Sequence, residues 1–171
     1  MDNKNRSIPF SPPDISETEI NEVVAALRSG WITTGARTKL FESRLAEYLG
    51  TERAVCLNSQ TAAAELTLRL LGVGEGDEVI VPSYTYTATA AVAAYVGARI
   101  VMIDCAPDSF EMNYDAIADA ITERTKVIIP VDLGGKLCDY DRIYAALEAK
   151  KSLYHPVSYT HLRAHETGAY L

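Results

Sequence analysis

Three short apolar runs constrain this chain more than any other feature: Glu78-Val79-Ile80-Val81-Pro82, Arg99-Ile100-Val101-Met102-Ile103-Asp104 and Lys126-Val127-Ile128-Ile129-Pro130-Val131. Their apolar residues are consecutive rather than alternating. Strands of that kind must be covered on both faces, which is the condition of a parallel sheet held between helices. The segments between them read as helices. Thr87 to Val96 is Ala-rich, Asn113 caps a helix carrying Ile117, Ala120 and Ile121, and Asp139 caps one carrying Ile143 and Leu147. Upstream, Ala54-Val55-Cys56-Leu57-Asn58 reads as a further buried strand, followed by a helix from Ser59 to Leu71 that stops at Gly72. The expected fold class is α/β, a three-layer sandwich with a mostly parallel sheet.

The first fifty residues have a different, helical character. Ser16-Glu17-Thr18-Glu19 has the form of a capping box, in which the Ser16 hydroxyl takes a free backbone N–H and Glu19 reaches back. Ile20, Val23, Val24 and Leu27 follow at helical spacing as far as Gly30. A second helix carries Phe41, Leu45, Tyr48 and Leu49, with Gly50 as its stop. The organisation expected is a helical segment over 1–52 packing on a domain that begins at residue 53.

The formal net charge of −7 argues against nucleic acid and anionic membrane surfaces as partners. No apolar run approaches the ~20 residues of a membrane helix, and the polar start Met1-Asp2-Asn3-Lys4-Asn5-Arg6 leads into no signal core. Cys56, Cys105 and Cys138 are far apart and form no CxxC pair, which fits buried thiols in a cytoplasmic protein.

The character changes again near the C-terminus. Val157-Ser158-Tyr159-Thr160-His161-Leu162-Arg163-Ala164-His165-Glu166-Thr167 has no strand or helix face. It resembles one reading frame of the transposase adapter used to prepare DNA sequencing libraries. Residues 152–171 are therefore expected to be a non-native tail, with the junction between Lys151 and Val157. His161, His165 and Glu166 have spacing that suggests a metal site, but a third ligand is not evident. With His155, they include every histidine of the chain. A histidine base, a Ser–His–Asp triad and a histidine metal site are thus unsupported in the remainder, and no metal is expected.

In a parallel sheet, ligands bind beyond the carboxyl ends of the strands. That singles out the loops Asn58–Thr61, Pro82–Tyr86, Asp104–Asp108 and Asp132–Gly135. In the first of these, Asn58-Ser59-Gln60-Thr61 opens directly into a helix whose first turn has unpaired N–H groups suited to a phosphate. Taken alone, it reads first as an ordinary Ser/Thr helix cap. In Pro82-Ser83-Tyr84-Thr85-Tyr86-Thr87-Ala88-Thr89, an aromatic ring would stand over the same crevice, or simply pack at the sheet rim. A flat aromatic cofactor needs both a phosphate anchor and a stacking ring. Gly72-Val73-Gly74-Glu75-Gly76 superficially suggests dinucleotide binding, but it follows a helix and precedes a strand, the reverse of the required context.

From Ile8 to Lys151 the chain resembles the DegT/DnrJ/StrS sugar aminotransferases, fold type I enzymes dependent on pyridoxal 5′-phosphate. The resemblance rests on Ser29-Gly30-Trp31-Ile32-Thr33-Thr34-Gly35 with Phe41-Glu42, on Asn58 to Ala63, on Gly76 to Thr89 and on Ile121 to Val131. It implies that residues 53–151 are part of a truncated fold type I large domain. It implies that Ser59, Gln60 and Thr61 bind the cofactor phosphate, that Tyr86 stacks on its pyridine ring, and that Trp31, Thr33 and Thr34 line the substrate side. It further implies a homodimer that moves an amino group from glutamate or glutamine to a nucleotide-linked keto sugar.

Two positions depart from the family pattern. Gln60 stands where the phosphate loop often has glycine, and Asp132 stands where histidine commonly follows Pro-Val. The Schiff-base lysine and the aspartate that pairs with the pyridine nitrogen are expected beyond the native end. No catalytic residue is therefore assigned, and this piece is expected to be inactive. The alternatives are a sugar dehydratase of the same family, with histidine in place of the lysine, and a regulatory or sensor protein that keeps the fold without catalysis.

Overall fold

The computed structural model describes residues 12–153, which form two compact units, residues 12–56 and residues 57–153. The predicted motifs at His155, His161, His165 and Glu166 lie outside the described residues.

The first unit contains α1 (Glu17–Arg28) and α2 (Ala36–Leu49). The capping box forms as expected: Thr18 N–H donates to Ser16 Oγ at 3.2 Å, and Ser16 N–H donates to Glu19 Oε2 at 2.6 Å. Arg37 of α2 pairs with Glu22 of α1. Between the helices the Trp31 indole N–H donates to the Thr34 carbonyl at 3.2 Å, folding the loop over Gly35. A Cβ at Gly35 would overlap the Trp31 indole, so the glycine is required by close approach, its φ of −169° being ordinary extended backbone. Gly50 ends α2 in the left-handed region at φ 64°, a conformation that glycine adopts without steric cost.

The expected strand at Ala54–Asn58 does not form. Val55 is 75% exposed and Leu57 44% exposed, and the Cys56 N–H donates to the Glu42 carboxylate at 2.8 Å, where a strand would need a neighbouring backbone. An apolar run becomes a strand only when another strand lies alongside it.

The second unit begins with α3 (Gln60–Leu70), β1 (Glu78–Pro82), α4 (Thr87–Tyr95) and β2 (Arg99–Ile103). A 3₁₀ turn, Tyr114–Ala116, runs into the short α5 (Ile117–Ala120). β3 (Thr125–Ile128), a second 3₁₀ turn at Leu133–Gly135 and α6 (Tyr140–Ala149) complete it. Asn113 does cap, accepting from Asp115 N–H at 3.2 Å, but Ile121 already leaves the helix at ψ 125°.

The sheet has the order β2-β1-β3 and both pairings are parallel. Val79, Ile80 and Val81 of the central strand are 0% exposed. Val79 and Val81 pack with Leu68, Val92 and Ala93 of α3 and α4. Ile80 packs with Ile103, Ile117, Ile121 and Ile143 on the opposite face. This is the expected three-layer arrangement. β3 is shorter than its apolar run. Ile129 N–H still donates to Ile80 O at 2.8 Å, but Pro130 has no N–H with which to extend the ladder. A register shift between Glu78 and Val79 leaves Lys126 out of the Cα pairing, and its ammonium reaches Gly72 O at 2.9 Å and Asp77 at 3.1 Å.

Glu78 begins β1 and is only 1% exposed. Its Oε2 accepts from Thr122 Oγ1 at 2.6 Å. Oε1 makes no hydrogen bond of good geometry but faces Arg124 at 2.9 Å and Arg99 at 3.6 Å as an ion pair. One carboxylate thus ties the amino ends of all three strands together. The arginines are largely solvated, so losing either side of this contact has unequal consequences. In urea unfolding, Glu78→Gln should cost about 1 kcal/mol, because the freed arginines remain in water. Arg124→Ala should cost more, about 2 kcal/mol, because it leaves the buried carboxylate with Arg99, at 3.6 Å, as its remaining charged partner beside the Thr122 hydroxyl. Equal losses would contradict this account. In the first unit, Gly35→Ala should displace the Trp31 ring. Trp31 is the only tryptophan, so its single indole N–H resonance reports the change directly, and an unshifted, equally protected signal would contradict the packing argument.

Candidate active site

The helix α3 begins where the sequence places its phosphate-binding candidates. Ser59 is extended, at φ −163° and ψ 159°, and its hydroxyl oxygen accepts from Ala62 N–H at 3.0 Å. Because that oxygen is the acceptor, its own proton remains to be donated outward. Gln60 and Thr61 are the first two helical residues, and their N–H groups have no intrahelical acceptor. Helix polarity adds partial positive charge at this end. Ser59 and Gln60 are exposed and Thr61 is half-buried.

Tyr86 occupies the corresponding position on α4. It is the residue before the first turn, its backbone is extended at φ −65° and ψ 141°, and its ring is 76% exposed. Thr89 N–H donates to its carbonyl at 3.0 Å, and Thr85 and Thr89 share a hydroxyl contact at 2.9 Å. α3 and α4 pack together on the same face of the sheet. The loop candidates Ser59, Gln60, Thr61 and Tyr86 therefore stand at the amino ends of two neighbouring helices. Trp31, Thr33 and Thr34 lie in the first unit, in the loop between α1 and α2, with Trp31 63% exposed.

The carboxyl edge of the sheet is fastened from loop to loop. Ser83 N–H donates to Ile103 O at 2.8 Å, and its hydroxyl donates to Asp104 at 3.1 Å, joining the loops after β1 and β2. The rings of Tyr84 and Phe110 meet at 4.9 Å with a tilt of 32°. The Lys136 ammonium pairs with Glu111, joining the loops after β2 and β3, and this bond holds the Glu111 carboxyl below its usual range. Tyr114 hydroxyl donates to Glu111 at 3.2 Å and accepts from Asp139 N–H at 3.1 Å. Burial pushes the Tyr114 phenol well above its ordinary value.

The sequence pointed to Asp132 as the start of a candidate loop, Asp132–Gly135, and as a departure from the family pattern, but not to its burial. It is 1% exposed, one of two fully buried acidic side chains among the described residues. It accepts from Cys138 N–H at 2.8 Å and from the Tyr140 hydroxyl at 3.2 Å. Burial also pushes the Cys138 thiol up to about 11, and that thiol donates to Val131 O at 3.1 Å. No sequence pattern marks an aspartate as buried; its acceptance of a backbone N–H six residues on becomes visible only once the loop closes. Among the described residues, no group of three or more His, Cys, Asp or Glu side chains is placed to hold a metal ion. No helix of the described residues is long and apolar enough to cross a membrane.

The chain is similar in sequence and fold to several known proteins. The chain is 42% identical over 140 residues to the UDP-4-amino-4-deoxy-L-arabinose–oxoglutarate aminotransferase of Shewanella sediminis, a match covering 82% of this chain and 36% of that protein. It superposes on a protein of Streptococcus pneumoniae assigned as a sugar aminotransferase with a TM-score of 0.85 and 59% identity, covering 90% of this chain and 38% of that one. That protein is known in forms carrying pyridoxamine phosphate and pyridoxal phosphate. A Brucella abortus aminotransferase of the same family gives a TM-score of 0.70 at 40% identity, covering 79% of this chain and 38% of that one. The chain thus spans little more than a third of the length of these relatives. Residues 13–154 match the sequence pattern of one family of pyridoxal-phosphate enzymes throughout, and the chain belongs to that family, the DegT/DnrJ/EryC1/StrS aminotransferases.

Proposed function

We propose that the protein of which this chain is a part transfers an amino group from glutamate or glutamine to a keto group on a nucleotide-linked sugar, using pyridoxal 5′-phosphate. The observation that carries the reading is the pairing of a capped, exposed helix start at Ser59–Thr61 with an exposed ring at Tyr86 on the neighbouring helix. The donor set fits a phosphate monoester, because backbone N–H groups, two hydroxyls and a helix amino end all favour an anion. Gln60 and Thr61 would hold the phosphate through their N–H groups, with the hydroxyls of Ser59 and Thr61 adding bonds. Tyr86 would stack on the pyridine ring and fix its plane. When bound, the cofactor supplies an electron sink for the amino-acid carbon.

Trp31, Thr33 and Thr34 would line the substrate side, and residues 53–151 would form part of the cofactor-binding domain. The amide-like reach of Gln60, where a smaller residue would leave space, crowds the phosphate loop without removing its backbone donors. A homodimer in the cytoplasm completes the proposal. The support for the dimer is the apolar surface of α1, where Ile20, Val23 and Leu27 are all exposed.

The test is a titration of the isotope-labelled chain with pyridoxal phosphate, followed by backbone amide resonances. Shifts are expected at Gln60, Thr61 and Ala62. Thr61→Val should weaken the apparent affinity about fivefold, the effect of one hydrogen bond. Tyr86→Ala should weaken it by a similar factor through lost stacking. Binding that leaves the Gln60–Ala62 amides unmoved, or that is indifferent to both substitutions, would overturn the reading.

A further inference from the structure

The loop after β3 leaves the carboxyl end of a strand adjacent to β1, so it belongs to the edge of the sheet at which parallel-sheet proteins bind ligands. Its conformation is unusual. Gly134 and Gly135 follow one another at φ 62° and 80°, in the left-handed region that favours glycine. Both are exposed, and a Cβ added at Gly134 would meet nothing within 4 Å. Gly134 therefore does not relieve crowding within the protein. With Gly135 it gives a short stretch of exposed backbone at the edge of the sheet.

The base of the same loop is tightly fastened. Asp132, 1% exposed, takes the Cys138 N–H at 2.8 Å and the Tyr140 hydroxyl at 3.2 Å. Leu133 N–H closes on Val131 O at 2.9 Å, Gly135 N–H on Asp132 O at 3.1 Å, and the Cys138 thiol on Val131 O at 3.1 Å. Outside this base, Lys136 joins the loop to Glu111. A buried carboxyl is costly unless its hydrogen bonds are made, so these partners are not interchangeable with water.

We infer that Asp132 is a positioning residue: its buried carboxyl holds the 132–138 loop so that the bare backbone at Gly134 and Gly135 forms a second wall of the cofactor site, opposite the Ser59–Thr61 phosphate loop in function. The inference rests on the reading above that this edge takes pyridoxal phosphate. Asp132 itself does not touch the ligand; it acts through the loop.

The same amide titration of the 171-residue chain with pyridoxal phosphate tests it. In the unsubstituted chain, the Gly134 and Gly135 amides should shift together with those of Gln60–Ala62. In Asp132→Ala the glycine response should vanish and the affinity fall about fivefold, while the resonances of Val79–Val81 stay in place and show an intact core. Asp132→Asn keeps the oxygen that accepts the Cys138 N–H and should restore both. Should Asp132→Ala fail to fold, Tyr140→Phe removes one donor to the same carboxyl at the edge of the network and should reduce the glycine response about twofold. Glycine amides that stay silent while Gln60–Ala62 respond would overturn the role of Asp132 and leave the phosphate-loop reading standing. Wild-type responses in Tyr140→Phe, or in Asp132→Ala where it folds, would also overturn it. Silence at both loops would overturn both readings together.

Discussion

Everything in the second unit depends on burying one strand from both sides. Val79, Ile80 and Val81 carry no exposed surface, and their side chains alternate between two separate cores. At ~25 cal/mol per Å² such burial is the dominant favourable contribution, and it is available only if helices cover both faces. Parallel pairing follows, because each return to the sheet must pass over a face through a helix. Parallel pairing in turn places the carboxyl ends of β1, β2 and β3 on one edge, with the start of α4 directly after β1. The position of Tyr86 at that edge is therefore a consequence of how the core is built.

The sheet handles its two ends differently, and the contrast is informative. At the amino end, Glu78 is buried but its arginine partners extend into water, which limits the desolvation cost of the charge. At the carboxyl end, Asp132 accepts from a backbone N–H and from a phenol. The first arrangement clamps three strands together and needs strength. The second fixes the path of a loop and needs geometry, which directional hydrogen bonds supply. Prolines mark the transition between them: Pro82 closes β1 and Pro130 follows β3, and neither can donate to a further rung of the ladder.

What was legible in the sequence was what is locally determined. Ser16, Ser59, Asn113 and Asp139 all cap helical turns as read, because a cap involves a side chain and a backbone N–H within a few residues. The strands β1 and β2 were legible because each is an unbroken apolar stretch of strand length bounded by turn residues, although only β1 is buried along its whole length, Met102 of β2 being 60% exposed. The run at Ala54–Asn58 has similar composition, yet it pairs with Glu42 and leaves Val55 in solvent. Nothing in its residues distinguishes it; the difference lies in whether a partner strand is present. Asp132 was opaque for the same reason, since its burial is created by residues 138 and 140 folding back over it.

Apart from the half-buried Thr61, the residues proposed to meet ligands are exposed, as are several aromatic side chains given no such role, among them Tyr48 and Phe110. Tyr86 and Trp31 are large aromatics at 76% and 63% exposure, although burying such rings is among the most favourable things a small domain can do. Gln60 stands exposed at a helix start without a partner role in the cap, which Ser59 performs alone. Trp31 is even held outward, by its own hydrogen bond to Thr34 and by a glycine that makes room for the ring at its side. In the second unit the first-turn donors of α3 and the ring of Tyr86 lie outside both cores, whereas Tyr114 is buried in one of them. Under the proposed reading, that distribution leaves the groups suited to a phosphate and a planar ring available to a ligand, at the expense of what they add to the packing of the protein that carries them.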